Sequence, residues 1–350
     1  MIAEVITDSV QSNTASLILC TKSGSVYIII ASVLKSIKYH DAIVNGPIGK
    51  TVKDAVTDGS THADAIVALT ENTPSDAATV IMDLTVEAEA FGAKLHFPDN
   101  DLPSVAERLL HNKSEVDNLP IPELNSARVP EYLKANRLAA ARIEDRPVFA
   151  GCIGLYSLAG RLYDMTEIMM AIYVEPDLAE TLLAKCSAFI LKYIQALKET
   201  GVDGVIMAEP AAGLLSNDDA TQFSTRYIRP IVEAVQDDNF LFVLHNCGNT
   251  GHCTQSMVDS GAKALHFGNQ CDIIEALKQV PSDLIVMGNI DPVGVFKSAS
   301  SQQVYEHTKG LLSATSGFDN FVISTGCDVP PGVSQENIDA FYKALKDFNC

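Results

Sequence analysis

Seven short apolar runs recur along this chain, and each ends in polar or glycine residues before a helical pattern begins. The runs cover residues 78–84, 147–155, 204–210, 240–248, 262–268, 283–291 and 320–328. Between them, segments such as 175–200 and 337–348 carry apolar residues three and four positions apart, as amphipathic helices do. Strands that alternate with helices predict an α/β fold with a parallel sheet. Seven strands and one uncertain further strand predict a (β/α)8 TIM barrel.

The first 75 residues do not show this alternation. We expect residues 1–75 to form an N-terminal helical cap on a barrel domain of residues 76–350. Within the cap, residues 50–69 have a helical pattern that breaks at Asp58 and Gly59. Residues 97–147 contain several prolines and are predicted to form loops and short helices.

The charge and the apolar runs limit the classes of partner. The formal net charge is −19, and because nucleic-acid binding needs clustered Lys and Arg, we expect no nucleic acid. The apolar run at 25–34 is shorter than the roughly 20 residues that span a bilayer. Glu4 and Asp8 precede any basic residue, unlike the start of a signal peptide. We therefore predict a cytoplasmic protein without membrane contact, in which clustered cysteines indicate metal binding or catalysis.

The segment LHNCG at 244–248 gives the strongest indication of chemistry. His245 and Cys247 lie two positions apart at the end of an apolar strand, so both side chains point to one face. If that face lines the barrel, both reach the mouth, where barrel active sites lie. Cys327 ends a later strand, and one imidazole with two thiolates suits zinc with an open fourth position.

Other interpretations of the cysteines and histidines stay open. A cysteine in a strand or helix is more often a small buried hydrophobe than a ligand, and we interpret Cys20, Cys152 and Cys186 in this way. His252 and Cys253 are rival ligands. The segment GNTGHC also has the pattern of a helix start, which would turn both side chains away from the site.

Four segments resemble the uroporphyrinogen decarboxylase superfamily, and more closely its corrinoid-dependent branch, the methylcobamide:coenzyme M methyltransferases. They are LHNCGNT (244–250), MGNIDPV (287–293), STGCDVPPGVSQENIDAF (324–341) and DLTVEAEAFGAKL (83–95). The resemblance covers about residues 79–350 and implies a TIM barrel in which His245, Cys247 and Cys327 hold Zn²⁺. It also implies that zinc activates a small thiol such as coenzyme M. The thiolate then takes a methyl group from a methylcorrinoid carried on a separate corrinoid protein.

Two departures from the family pattern concern the site. The arginine-bearing motif RQAGR is absent and only NGPIGK at 45–50 lies in that region, so porphyrin decarboxylation is not expected. The coenzyme M enzymes are expected to carry a carboxylate about twenty residues after the His-x-Cys pair, where this chain has Gly268, Asn269 and Gln270. The resting fourth zinc ligand and the identity of the thiol therefore stay open.

Carboxylates at strand ends are candidates for orienting the substrate. We predict catalytic roles for Glu209 and Asp291 and consider Asp83 and Glu87 as further candidates. Each of them could instead cap a helix or pair with an arginine. Arg161 could meet an anionic head group, or be a solvated arginine at a helix end.

Two functions of other classes remain as alternatives. One is a metal-free barrel that acts on a tetrapyrrole or a pterin through its carboxylates, with Cys247 and Cys327 idle. The other is a non-catalytic module that docks a corrinoid protein. The sequence also leaves open whether the chain forms a homodimer.

Overall fold

The sheet at the centre of the molecule is built from the predicted strands. The computed structural model describes residues 48–349. Its strands are β1 (Ala78–Thr79), β2 (Leu95–His96), β3 (Ser104–Val105), β4 (Val148–Ile153), β5 (Gly204–Ala208), β6 (Leu241–Asn246), β7 (Ala264–Phe267), β8 (Ile285–Ile290) and β9 (Phe321–Thr325). Seven of them form one parallel sheet in the order β1-β4-β5-β6-β7-β8-β9, and each corresponds to one predicted run.

The predicted α/β class with a barrel-type parallel sheet is confirmed. Apart from the separate β2–β3 pair, the strands lie in the sheet in the same order as they follow one another along the chain, as βαβ units require. Within residues 48–349 no eighth strand joins the sheet, and β9 does not pair with β1.

The register of the sheet brings the strand ends to one level. Ala208 on β5 pairs with His245 on β6, and His245 pairs with His266 on β7. Leu241 and Val243 share the face of β6 that carries His245. They belong to a small buried cluster inside the sheet, together with Ala77, Phe149, Ile206, Ala264, Ile285, Met287 and Val322. The inward-facing row of β6 therefore ends in the His-x-Cys pair.

The helices pack around this sheet, and most of them follow a strand. They are α1 (Val52–Thr57), α2 (Gly59–Glu71), α3 (Val86–Ala90), α4 (Lys113–Asn118), α5 (Val129–Arg142), α6 (Leu155–Tyr163), α7 (Met165–Val174), α8 (Pro176–Lys198), α9 (Asn217–Ala220), α10 (Arg226–Val235), α11 (Thr254–Asp259), α12 (Ile273–Gln279), α13 (Ser301–Thr315) and α14 (Gln335–Phe348). The helices predicted at 175–200 and 337–348 are α8 and α14. Among these helices, none combines the length and the apolar character needed to cross a bilayer.

Helix α1 ends just before Asp58 and helix α2 begins at Gly59, where the sequence predicts a break in the helical pattern. The Asp58 carboxylate accepts hydrogen bonds from the backbone N–H groups of Ser60 and Thr61 and so caps α2. The N–H of Gly59 donates to the Glu131 carboxylate over 2.7 Å, which joins α2 to α5.

Some predictions concern residues outside 48–349. These are the apolar run at 25–34 and the residues Glu4, Asp8 and Cys20. The boundary between a cap and a barrel domain at residue 75 stays a prediction.

The segment 97–147 is more ordered than its prolines predict. Within it, β3 pairs antiparallel with the preceding strand β2, and α5 is 14 residues long, so the prediction of loops and short helices is only partly right. Pro130 lies in the first turn of α5, where the missing N–H has no helical partner in any case. A proline in that position begins a helix rather than ending one.

Candidate metal centre

Three side chains meet at the carboxyl ends of β6 and β9. The ligand atoms of His245, Cys247 and Cys327 all lie within 4.8 Å of one another. His245 is buried, and the two cysteines are half-buried. In a tetrahedral zinc site the ligand atoms stand about 3.5–3.8 Å apart, so small side-chain rotations would bring these three to bonding distance.

The donor chemistry of the three groups fits a cation. The pKa of Cys247 is lowered, chiefly because Cys327 hydrogen-bonds to its sulfur, while this hydrogen bond and burial raise the pKa of Cys327. His245 Nδ1 is buried and has no hydrogen-bond partner among the described residues, so this nitrogen is not engaged by another protein group. Two thiols and an imidazole are soft and borderline donors that zinc prefers. The residues present therefore fit a zinc ion.

The end of β7 separates the two cysteine-bearing loops. A Cβ atom at Gly268 would lie 2.7 Å from Cys247 Cα, and one at Gly326 would lie 2.3 Å from the backbone nitrogen of Asn269. Only glycine allows these backbones to approach so closely. Gly268 is buried, Asn269 is half-buried and Gln270 is exposed. Within residues 48–349, no carboxylate oxygen belongs to the group of three ligand atoms. The identity of a fourth ligand therefore stays undetermined.

The rival ligands lie on a neighbouring loop and contact the backbone of another segment. His252 Nε2 is 3.0 Å from the Leu215 carbonyl oxygen, and the thiol of Cys253 donates to the same oxygen over 3.3 Å. Cys253 is buried and immediately precedes α11. Neither residue belongs to the group of three.

The carboxylate of Glu209 lies on the N-terminus of α6. It accepts hydrogen bonds from the N–H groups of Tyr156 (2.9 Å) and Ser157 (2.7 Å), and from the Ser157 hydroxyl (2.5 Å). Glu209 is 1% exposed, and burial raises its pKa against the effect of these donors. This arrangement is that of a helix cap, so the catalytic role of Glu209 stays a prediction.

Asp291 also binds the start of a helical turn. Its carboxylate accepts from the N–H groups of Val293 (2.9 Å) and Gly294 (2.8 Å), in the π-helical turn Pro292–Lys297. Asp291 lines a separate cavity of about 660 Å³ that Cys247 does not line. Its catalytic role also stays a prediction.

The two further carboxylates differ in their partners. Asp83 is paired with Arg128 Nη1 at 2.6 Å and accepts from the Tyr132 hydroxyl at 3.2 Å. Glu87 is 1% exposed and accepts one hydrogen bond, from the N–H of Ile153, while its Oε2 has no partner among the described residues. Burial raises the pKa of Glu87 to about 8, which favours the protonated carboxyl group at neutral pH.

A cavity of about 710 Å³ opens next to the cysteines. Its wall includes Cys247 and Gly248 as well as Arg108 and Arg161. Arg108 is paired with Glu167 at 3.2 Å. Arg161 has neither an ion pair nor a hydrogen bond within residues 48–349, and burial lowers its pKa. An unpaired guanidinium in a cavity beside a thiol pair can bind the anionic part of a small molecule.

Sequence reasoning missed one buried residue next to the centre. His266 is 3% exposed, and its ring centroid lies 4.5 Å from that of His245. Its position at the end of β7, in the run ALHFG, is the signal that could have revealed it.

The pKa of Cys152 is raised well above its ordinary value by burial, and burial raises that of Cys186 as well, in line with their interpretation as core residues.

The fold and the site together define a class: an α/β barrel-type protein with a His-Cys-Cys candidate metal centre at the carboxyl ends of its strands. The family model named uroporphyrinogen decarboxylase (URO-D) matches residues 42–348. The chain belongs to this family, as the resemblance predicted.

Named relatives lie on both branches of the family. The chain is 27% identical over 277 residues to a methylcobamide:CoM methyltransferase of Methanosarcina mazei, covering 78% of this chain and 80% of that protein. It is also 27% identical over 291 residues to a uroporphyrinogen decarboxylase of Chlorobium phaeobacteroides, with the same shares covered. A solved methyltransferase from Methanosarcina mazei has the same fold, with a TM-score of 0.83, 22% identity and coverage of 94% of this chain and 96% of that one. The predicted class of enzyme, a methyltransferase, is borne out at that level.

Proposed function

We propose that this protein is a zinc-dependent methyltransferase that moves a methyl group from a methylated corrinoid to a small thiol such as coenzyme M. The observation that carries the proposal is the convergence of the ligand atoms of His245, Cys247 and Cys327 within 4.8 Å, with Cys247 at the wall of a cavity. The similarity to a methylcobamide:CoM methyltransferase supports it. We expect the methylcorrinoid to arrive on a partner corrinoid protein, in the cytoplasm.

The thiol acceptor needs activation, because a free thiol is mostly protonated at neutral pH and the thiol form is a poor nucleophile. Zinc held by His245, Cys247 and Cys327 would act as a Lewis acid that keeps the thiol deprotonated. The proton of the thiol would pass to solvent, and the activated sulfur would bond to the methyl carbon of the methylcorrinoid co-substrate as the carbon–cobalt bond breaks. The electron pair of that bond would stay on the corrinoid as cobalt(I).

The residues of the cavity wall orient the acceptor. Arg161 has no ion pair or hydrogen bond within residues 48–349 and would bind an anionic group at the far end of the thiol. Glu87 lies behind this wall, bonded to Ile153, and a protonated carboxyl there leaves the charge of Arg161 available to a ligand. Because Cys247 and Arg161 line the same cavity, the sulfur and the anionic group of the acceptor thiol are held at the same time. This lowers the entropy cost of reaching the reactive geometry.

Metal content and methyl transfer test the proposal together. We expect about one zinc per chain, lost in the double variant Cys247→Ser/Cys327→Ser, and retained in the control His252→Ala/Cys253→Ser. Zinc-loaded protein mixed with methylcobalamin and a panel of thiols should form cobalt(I), measured by absorbance. Arg161→Gln should weaken the use of anionic thiols more than that of neutral thiols. Full zinc occupancy in the double cysteine variant would contradict the assignment of the ligands.

A second candidate has support from the family. The chain is also similar to uroporphyrinogen decarboxylases, so a metal-free barrel acting on a tetrapyrrole or pterin is the alternative enzyme. It predicts full activity on such a substrate without metal and without the two cysteines. Zinc binding without demethylation by any thiol, even when a methylated corrinoid protein is supplied, would instead favour a non-catalytic docking module.

A further inference from the structure

A buried imidazole that takes no part in the proposed reaction lies beside the metal ligands. His266 Nε2 is 2.9 Å from the Thr325 carbonyl oxygen and 2.9 Å from the Ser324 hydroxyl. A carbonyl oxygen only accepts, so the contact with Thr325 places the proton of the ring on Nε2. His266 on β7 therefore reaches across the inside of the sheet and holds the end of β9.

The hydrogen bond at Thr325 continues to a metal ligand. The Thr325 hydroxyl donates to the carbonyl oxygen of Cys327 over 2.9 Å. Thr325 is thus held through its own carbonyl by His266, and it holds the backbone of Cys327 through its hydroxyl. The direction in which Cys327 leaves β9 depends on this short chain of contacts.

The same ring also faces the imidazole ligand. His245 and His266 are register partners on β6 and β7, and their ring planes are tilted by 33° with centroids 4.5 Å apart. A ring packed at this distance restricts rotation of the His245 side chain. His266 therefore contacts the ligand-bearing ends of both strands: β6 through ring packing and β9 through hydrogen bonds.

We propose that His266 is a positioning residue of the metal centre, which fixes the His245 ring and the end of β9 that carries Cys327 in the arrangement that binds zinc. The inference rests on the proposed function, because it assumes that the three residues hold a metal. Groups in the second layer of metal sites typically change metal affinity by about 10–100-fold when they are replaced. A residue that only fills space would change stability without changing the metal site.

Two variants separate the contributions of His266. His266→Phe keeps an aromatic ring against His245 and removes the hydrogen bonds to β9, whereas His266→Gln keeps a donor and removes the ring. The matched control is Met287→Ala, since Met287 is the register partner of His266 on β8, is 1% exposed and lies in the apolar cluster below the site. That control creates a cavity in the same region and replaces neither a ligand nor a hydrogen bond to β9.

The measurements are the zinc dissociation constant, by competition with a chelator, and the absorption spectrum of the Co²⁺-substituted protein. We expect His266→Phe to weaken zinc binding at least about tenfold and to shift the cobalt ligand-field bands. His266→Gln should bind zinc more tightly than His266→Phe, and Met287→Ala should keep the wild-type affinity and spectrum despite lower stability. If His266→Phe does not fold, His266→Gln against Met287→Ala carries the comparison.

The outcomes distinguish the two proposals. Wild-type affinity and spectrum in His266→Phe would overturn the positioning role, and so would an equal loss of affinity in Met287→Ala. A wild-type protein that binds no zinc would overturn the proposed function itself. If the wild-type protein binds zinc and His266→Phe has the same zinc affinity and cobalt spectrum, only this inference is overturned.

Discussion

At the scale of single residues, exposure and partners separate the candidate ligand thiols from the core thiols. Cys247 and Cys327 are half-buried and contact each other, whereas Cys152 and Cys186 are fully buried. Sequence alone could assign these roles only by position at a strand end. The contact between the two cysteines of the site, which lie 80 positions apart, could be expected but not established from spacing.

The first prediction concerns the reactivity of these thiols in metal-free protein. Iodoacetamide at neutral pH should label Cys247 well before Cys152 and Cys186, because a lowered pKa gives Cys247 a larger thiolate fraction. Peptide mass spectrometry after timed quenching measures the three rates. Added zinc should protect Cys247 without changing the rates at the two core cysteines. Equal labelling of Cys152 and Cys247 in the folded protein would show that the environment of Cys247 is misjudged.

The second prediction concerns Glu87 and the pH dependence of stability. Its pKa is raised by burial from 4.5 to about 8, so the folded protein binds this proton more tightly than the unfolded chain. The contribution of Glu87 to stability is therefore full below pH 4.5 and is lost as pH rises towards about 8. Glu87→Gln should become more stable relative to wild type as pH increases from 5 to 8 in urea denaturation. The control Glu306→Gln, at an exposed position, should show no such trend.

At the scale of elements, the sequence predicts the repeated strands and the helix break. It misses contacts between residues that are far apart in the chain. All seven strands and the break at Asp58 could be predicted, because apolar runs and capping residues are local signals. The hairpin of β2 and β3 was missed because its two-residue strands do not lie in an apolar run, as the equally short β1 does. The capping of α6 by Glu209, 52 residues further along the chain, could not be read from local spacing.

The end of β7 supplies the third prediction. Gly268→Ala should weaken zinc binding, because its Cβ would meet the backbone of Cys247 at 2.7 Å and that backbone must shift. Gly310→Ala is the matched control, since a Cβ at that helical position meets nothing within 4 Å. We expect the control to leave zinc binding unchanged and to stabilise the protein by about 0.5–1 kcal/mol. Zinc titration and thermal unfolding of both variants measure the two effects. Unchanged zinc affinity in Gly268→Ala would show that the close approach of β7 to Cys247 is not required.

At the scale of the whole molecule, a buried ionic network joins the helices before the barrel to the sheet. Arg128 contacts the Val56 carbonyl oxygen of α1 at 3.1 Å, the Asp83 carboxylate after β1 at 2.6 Å and the Glu89 carboxylate of α3 at 2.6 Å. Its side chain is 8% exposed. Asp83, considered from sequence as a substrate-orienting residue, is engaged here by Arg128, 45 positions away, and by Tyr132. The contact of Asp83 with Arg128 depends on the tertiary fold. The sequence could therefore give pairing with an arginine only as one of two alternatives to a substrate-orienting role, the other being a helix cap.

The network predicts a large cost for losing its cation. Arg128→Met would leave the Asp83 carboxylate buried without its paired cation, and breaking a buried pair in this way typically costs about 3–5 kcal/mol. The control is Arg142→Met, because the pair of Arg142 with Asp64 is exposed and such pairs contribute about 0–1 kcal/mol. Equilibrium urea denaturation gives the free energy of unfolding of each variant. Asp83→Asn in the Arg128→Met background should recover part of the loss, since the amide oxygen can still accept from Thr85 and no charge remains buried. A cost for Arg128→Met no larger than that for Arg142→Met would show that the helices before the barrel are held by apolar packing rather than by this network.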